Sequence, residues 1–484
     1  MDSIIELCDL VSPMKVRHLK LIGDDNDQAG QLYHLIKSEK VKKDQDAIEA
    51  LFPDKEHGRI YLNGIKDKLS QRLMNTLLFL DQNQDTEYKK AFITTYRMFL
   101  VYKILSFSSK RKAAKTMAQK AIKQATKYHF LEIAVPFARE LKTHYATIEP
   151  NKKQFQKFRD IQSSCAVLLN KEMEVEDMFC NLALLQIKKQ HKKQELMEME
   201  LYAQKAEEII ANYSTYWLLY LAGNIIVIWQ QMNNNHQAVT RYCNLMLKKL
   251  AQLPYQVPTP AIFGFNIKQI PGYVLNQEFD QAEKVLHKCI AMYKPGQTNW
   301  VKAMQFKTIM HFHKTEYNKA LKEAERINTD FKSTLRDQET WQIYEAYAKI
   351  LTNEKLRLHK LLNEVPKYSK DKRGMNINIL IIRILEYIRR GKIGEVIDNT
   401  AALNQYAYRY LRHDETFRSN CFIRLLLSLE KGHFNKIGVK RHSDSLLEKL
   451  KSLPLRESQQ DYEVEVVPYE ALWDFLFKLL PNKP

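Results

Sequence analysis

Five lysines in one stretch are the most chemically suggestive residues of this 484-residue chain. Lys112, Lys115, Lys123 and Lys127 recur largely at helical spacing, with Lys120 beside them. Ala114, Met117, Ala118, Ala121 and Ala125 fall on the opposite, packing face. From Tyr88 to Ile148 there are 13 Lys and Arg against only Glu132 and Glu140, a net charge of +11 in 61 residues. A basic stripe of this kind attracts phosphates or an acidic protein surface, with an affinity that falls as salt rises. The plainer alternative is a solvated helix face that keeps the chain soluble.

A second basic group lies further on, at Arg383, Arg389, Arg390 and Lys392, then Arg409, Arg412, Arg418 and Arg424. The planar guanidinium can bond two oxygens of one phosphate or carboxylate. Tyr406, Tyr408 and Tyr410 among them are placed either to stack on bases or to pack one helix on the next. The expected anion-binding set is Lys112, Lys115, Lys120, Lys123, Lys127, Arg383, Arg389 and Arg390.

Nothing comparable points to catalysis. Gly-x-Ser-x-Gly, His-Glu-x-x-His and a Cys–His nucleophile signature are all missing. His311 and His313 stand two apart on an expected helix, so they point to different faces and make a poor metal pair. The six cysteines (Cys8, Cys165, Cys180, Cys243, Cys289, Cys421) are scattered, without metal-ligand or disulfide-framework spacing. They read as reduced thiols of a cytoplasmic protein, Cys243 and Cys289 as small buried apolar groups. Only 13 glycines occur in 484 residues, against a usual share of about 7%. Rossmann and P-loop sites need glycine where backbone approaches phosphate, so neither is expected. No catalytic residue, metal or cofactor is assigned.

The elements that position these residues are helices. Leu62, Ile65, Leu69, Leu73, Leu77 and Leu80 recur at steps of three and four, as do Ile4, Ile5, Leu7, Leu10 and Val11. Asp46–Pro53 reads as a short helix stopped by proline, and the longer helix after it carries Lys66, Lys68 and Arg72. That outline fits a three-helix cap or a helix-turn-helix DNA reader. Phe155, Phe158, Ile161, Cys165, Leu168 and Leu169 continue the helical period through a proline-free stretch. Tyr216–Trp229 is the most apolar run. At 14 residues, broken by Gly223-Asn224, it is short of the roughly 20 a membrane span needs, and a buried central helix is expected. Three prolines at 254, 258 and 260 stop the preceding helix, as a long loop rather than a hinge.

A loose repeat organises the second half. Bulky apolar residues stand three places before small or apolar ones at Phe279/Ala282, Tyr317/Ala320, Leu356/His359, Ile393/Val396 and Phe434/Ile437. Their first members are 38, 39, 37 and 41 residues apart, each at a break between two helical stretches. A period near forty, two helices long, marks an α-solenoid of stacked hairpins. Val365–Gly374 interrupts it as a polar, charged segment. Tyr462–Val466 alternates like a short strand, and Pro468 then opens a helix with Leu472, Phe475, Leu476 and Leu479 on one face.

These units resemble tetratricopeptide-like hairpins. Tyr273, Phe279, Ala282 and Cys289 match the aromatic and small positions of one unit; Tyr317, Ala320 and Ala324 match the next, with His311 in place of the first aromatic. Ala238 with Tyr242, and Ala114 with Ala118 and Ala121, are weaker echoes. The family period is 34 and most of its Trp, Leu-Gly and Pro signatures are missing. The resemblance implies a superhelical scaffold that binds a peptide or protein in a concave groove. The chain is therefore expected to be all-α: an N-terminal helical module (1–87), a repeat region in two halves (88–253 and 261–455) and a C-terminal capping segment (456–484). The expected function is a non-catalytic protein- or peptide-binding scaffold without membrane attachment. The competing expectation is a nucleic-acid-binding regulator that uses the N-terminal module and the basic faces.

Overall fold

Helical periodicity becomes helix wherever the chain is described. The structure, a computed structural model, describes residues 27–53, 57–79, 86–108, 111–186, 192–331, 335–357, 375–410, 418–453 and 465–482; side chains at 77–79, 335–338, 375–376 and 406–410 are outside that description. The expectations for Ile4–Val11, Leu77, Leu80, His359, Val365–Gly374 and the Tyr406, Tyr408 and Tyr410 side chains fall outside it. Among the described residues every regular element is a helix. The chain divides into two compact units, residues 1–155 and 156–484. That division falls inside the stretch read as the first half of the repeat, rather than at residue 87 or beside the prolines.

The first unit holds α1 (Gln28–Lys37), α2 (Asp44–Leu51), α3 (Gly58–Phe79), α4 (Glu87–Phe107), α5 (Arg111–Tyr128) and α6 (Leu131–Thr147). Leu62, Ile65, Leu69 and Leu73 of α3 bury their stripe against Leu32, Tyr33 and Ile36 of α1 and Ala47 of α2. Asp27 ties α1 to α3. Its carboxylate caps α1 at Gly30 N (2.9 Å) and accepts from both Arg72 nitrogens, Nη1 at 2.8 Å and Nη2 at 2.5 Å. Lys68 Nζ lies 3.2 Å from Asp27, and Lys66 Nζ donates to Asp44 at 2.7 Å. Lys66 and Arg72 are therefore paired within the module, while Lys68, 58% exposed, shares the single Asp27 carboxylate with Arg72.

The second unit runs from α7 (Lys152–Gln186, which starts in the first unit's last residues) through α8 (Lys193–Asn212), α9 (Tyr216–Met232), α10 (His236–Ala251), α11 (Thr259–Ile267), α12 (Ile270–Leu275), α13 (Phe279–Ala291), α14 (Thr298–His313), α15 (Tyr317–Asp330) and α16 (Leu335–Leu351). It continues with α17 (Met375–Arg389), α18 (Ile393–Tyr410), α19 (Arg418–Lys431), α20 (Lys436–Ser452) and α21 (Tyr469–Leu479). Helices pack pairwise on their sequence neighbours, α8 on α9, α9 on α10, α15 on α16, α17 on α18 and α19 on α20. This is an all-α arrangement of stacked helix pairs. As expected, α9 is a buried central helix. Gly223 lets it approach α10 and α11: a Cβ there would stand 2.6 Å from Met246 and 2.9 Å from Phe265. The proline-rich loop is anchored by buried Tyr255 and Val257. Cys243 and Cys289 are buried thiols, each with its pKa pushed up to about 12 by burial.

The repeat shows most clearly in the backbone. Gln277, Thr315, Asn353 and Gly391 all take left-handed φ, at 60°, 57°, 60° and 68°, and stand 38 residues apart. At each, the following N–H donates five residues back, Glu278 to Tyr273, Glu316 to His311, Glu354 to Lys349 and Lys392 to Tyr387, at 2.7–2.9 Å. The left-handed residue itself donates three back. This is the Schellman closure of a helix C-terminus, which satisfies two otherwise orphaned carbonyls. Phe279, Tyr317 and Ile393 open the next helices, and Ala282, Ala320 and Val396 are fully buried there, as the spacing predicts.

Two pairs depart from the expected register. Leu356 is buried but lies in a non-helical segment. At the last corner both His433 (φ 49°) and Phe434 (φ 53°) are left-handed, so Ile437 is 56% exposed and Val439 takes the buried place. The expected strand at 462–466 does not form at Glu465 and Val466; residues 462–464 are outside the described chain. Pro468 does open α21, whose buried residues are Leu472, Trp473 and Leu476, whereas Leu479 is exposed. That helix packs on α17, α19 and α20 and closes the end of the stack.

Candidate protein interface

Helix α5 displays its lysines as the sequence predicts and buries the alanines. Ala114, Ala118, Ala121 and Ala125 are buried, while Lys112, Lys120, Lys123 and Lys127 are exposed and Lys115 is half-buried. The five lysines are not equivalent. Lys115 forms an ion pair with Glu149, and its ammonium lies 5.1 Å from the Tyr145 ring centroid. Its pKa is raised, chiefly by the hydrogen bond to Glu149. Lys127 lies 3.2 Å from Tyr128 Oη and 3.4 Å from Glu87, and its pKa too is raised, first by the tyrosine. Among the described residues, Lys112, Lys120 and Lys123 have no ion-pair partner for their ammonium groups. Three open cations, not five, remain for an anionic partner.

Arg389 and Arg390 bind groups of the fold itself. Arg390 donates from Nε to Glu386 Oε1 at 2.6 Å and from Nη2 to the Leu356 carbonyl at 2.7 Å. Arg389 donates to the Glu354 carbonyl at 2.6 Å, and its Nη2 lies 2.8 Å from Glu386 Oε2. Glu386 is fully buried, so the two arginines neutralise it while holding the segment after Asn353. Arg383 is half-buried. The lysines of α5 belong to the first unit and these arginines to the second.

The exposed feature that charge alone does not reveal is on α4. This helix carries apolar residues on more than one side, and a helix buries such faces against neighbours. Here α5 and α6 cover one side, burying Ala91, Thr95 and Tyr102. Aromatic edges hold that contact, Phe99 and Tyr102 each meeting Phe137 with ring centroids 5.3 and 5.1 Å apart. The other side stays open. Tyr96 is 39% exposed, Leu100 49%, Val101 40%, Ile104 56% and Phe107 86%. At 3.6 residues per turn, Tyr96, Leu100, Ile104 and Phe107 lie in one row. Lys90 and Arg97 flank this row on one edge, Lys103 on the other and Lys89 at its start. The two acids of the Tyr88–Ile148 stretch are already engaged. Glu132 accepts from Tyr96 Oη at 2.7 Å, the tyrosine's pKa being raised first by partial burial and then by this carboxylate, and Glu140 lies 3.8 Å from Lys103 and from Arg139.

No family model, curated protein or solved structure matches the chain. Its function must therefore be argued from these surfaces. Among the described residues no group of three or more His, Cys, Asp and Glu is placed to hold a metal ion, and no helix is long and apolar enough to cross a membrane. His311 is turned to Glu316 (2.7 Å) and His313 to the Glu465 carbonyl (3.1 Å), so the two do not converge. A cavity of about 510 Å³ beside the proline loop, lined by Leu250, Tyr255, Val257, Ile262 and Met292 among others, offers no titratable cluster.

Proposed function

We propose that this chain is a non-catalytic, tetratricopeptide-like scaffold that binds a protein or peptide, and that α4 and α5 carry a binding surface. The observation that supports this reading is the open apolar row from Tyr96 to Phe107. Apolar side chains in a continuous row are costly to leave in water, by roughly 25 cal/mol per Å², and such patches mark interaction surfaces. The 38-residue corners and the buried Ala282, Ala320 and Val396 that follow three of them support the hairpin-repeat part of the reading. Affinity capture with the full chain at physiological salt, with and without nuclease, tests it. A protein retained through nuclease treatment is the expected result. Co-purifying material that disappears with nuclease would favour the competing nucleic-acid function.

That second reading draws on one observation, the three open lysines of α5. A Lys112→Glu/Lys120→Glu/Lys123→Glu variant should then lose nucleic-acid affinity while its helical circular dichroism is unchanged. Unaltered affinity would remove α5 as the site.

A further inference from the structure

Resting on the scaffold reading above, we infer that the open face of α4 takes an amphipathic helix of a partner protein whose flanks are acidic. Four facts on the molecule point to this chemistry. The row Tyr96, Leu100, Ile104 and Phe107 is straight and helical, and Val101 broadens it. From Tyr96 to Phe107 it rises through 11 residue steps, or about 16.5 Å at 1.5 Å per residue. That is about three helical turns, and a row of i, i+4, i+8 and i+11 side chains is what another helix interdigitates with. The α4 charges bordering it (Lys89, Lys90, Arg97, Lys103) are all cations.

Of the two acids of this stretch, Glu140 is paired with Lys103 and Arg139 while Glu132 keeps its charge beside Tyr96, so the four cations of α4 outnumber them and leave the border net positive. A basic helix would meet a rim of net positive charge, which costs both affinity and on-rate. Acidic flanks give the partner its orientation, and the apolar row gives it residence. A second copy of this chain presenting the same basic face would also be repelled, so self-association through α4 is disfavoured. An extended peptide finds no sheet edge there, because α4 and its neighbours are helices throughout.

The experiment uses the full chain and three fluorescein-labelled helical peptides of about 18 residues. The first has a Leu/Phe face flanked by glutamates, the second replaces those glutamates with lysines, and the third keeps the glutamates but replaces the Leu/Phe face with alanine. Vesicles of phosphatidylserine and phosphatidylcholine serve as a fourth probe. Fluorescence anisotropy should show the first peptide binding best, with affinity falling as salt rises. Leu100→Glu/Ile104→Glu should weaken it at least about tenfold, and Lys90→Ala/Arg97→Ala should weaken it mainly at low salt.

Equal binding of the acidic and basic peptides, binding of neither, or binding of vesicles alone would each overturn the inference. So would a concentration-dependent dimer that Leu100→Glu/Ile104→Glu dissociates. The same variant carried through the affinity capture separates the two claims. If it still retains the captured protein, the scaffold reading stands and α4 is not the surface. If wild type retains nothing, the scaffold reading itself fails.

Discussion

The guanidinium of Arg418 and the carboxylate of Glu465 form a buried, two-pronged ion pair, with Nε 2.8 Å from Oε2 and Nη2 3.0 Å from Oε1. The remaining donors of Arg418 reach the Leu450 and Leu453 carbonyls at 2.7 and 3.0 Å and the carboxylate of Glu470. Glu465 also accepts from Tyr469 N–H at 2.6 Å, at the first residue of α21. One side chain at the start of α19 thus secures the end of α20 and the start of the closing helix. Arg418→Ala leaves two acids and two carbonyls without their cation. A loss of about 3–5 kcal/mol is expected, as for other broken buried pairs, read by urea denaturation. Limited proteolysis should cut first ahead of Tyr469.

Ala282 and Ala320 are fully buried where the second helix of a hairpin begins. A long cation has no room at either place, and burying it unpaired adds to the overpacking. Ala282→Arg and Ala320→Arg should each cost about 3–5 kcal/mol. Thermal melts that match wild type for both would show that the hairpin register is misplaced.

The left-handed corners offer a test in the opposite direction. Thr315 is β-branched and holds φ 57°, a conformation that costs an L-residue about 1–2 kcal/mol. Thr315→Gly should therefore stabilise the chain by up to about 1 kcal/mol, because glycine's greater chain entropy offsets part of the relief. Gly391→Ala should destabilise by a similar amount. Nothing lies within 4 Å of a Cβ built there, so the cost is purely backbone. Denaturation midpoints of the two variants should move apart.

Burial pushes the pKa of His129, His236 and His311 below the ordinary value; for His311 the Glu316 carboxylate counteracts burial only in part. An unfolded histidine takes up its proton near pH 6.5, whereas these remain neutral in the fold to lower pH. The unfolded chain then binds more protons, so stability is full above about pH 7 and falls as pH drops through 6.5 and below. Glu316, held down to about 2 chiefly by Lys319, adds its own loss only below about pH 5, as pH falls from its unfolded value toward 2. Denaturation at about pH 7.5 and 5.5 should show the drop. His129→Asn, which tolerates the left-handed φ of 57°, should make it shallower.

What the sequence disclosed, and what it hid, follows from the range of each interaction. The α3 stripe, the buried α9 and the corners at Phe279 and Tyr317 are local patterns of apolar spacing, and they are found in the structure. The Phe434 corner was misread because two consecutive residues are left-handed, which moves the buried place from Ile437 to Val439; no composition signal marks that. Lys115 and Lys127 look like free cations in sequence, yet Glu149 and Glu87 lie 34 and 40 residues away and meet them only after folding. Arg389 and Arg390 look like a phosphate fork, but their acceptors are the carbonyls of Glu354 and Leu356 and the buried Glu386. The open row on α4 was hidden for a different reason. Its residues are apolar like those on the covered side, and only the packing of α5 and α6 decides which side is left bare.

The corners at Gln277, Thr315, Asn353 and Gly391 close through backbone hydrogen bonds, and three of the four do so without glycine. Almost any residue can therefore occupy the bend, while its position along the chain is held to a 38-residue step. Length in this part of the molecule is consequently quantised. Excision or duplication of one whole step should return the chain to an equivalent bend, whereas a change of a few residues alters the corner itself, as at His433 and Phe434, where two left-handed residues close it. Evolution of the array by copying whole hairpins is thereby compatible with almost complete erosion of its side-chain signature.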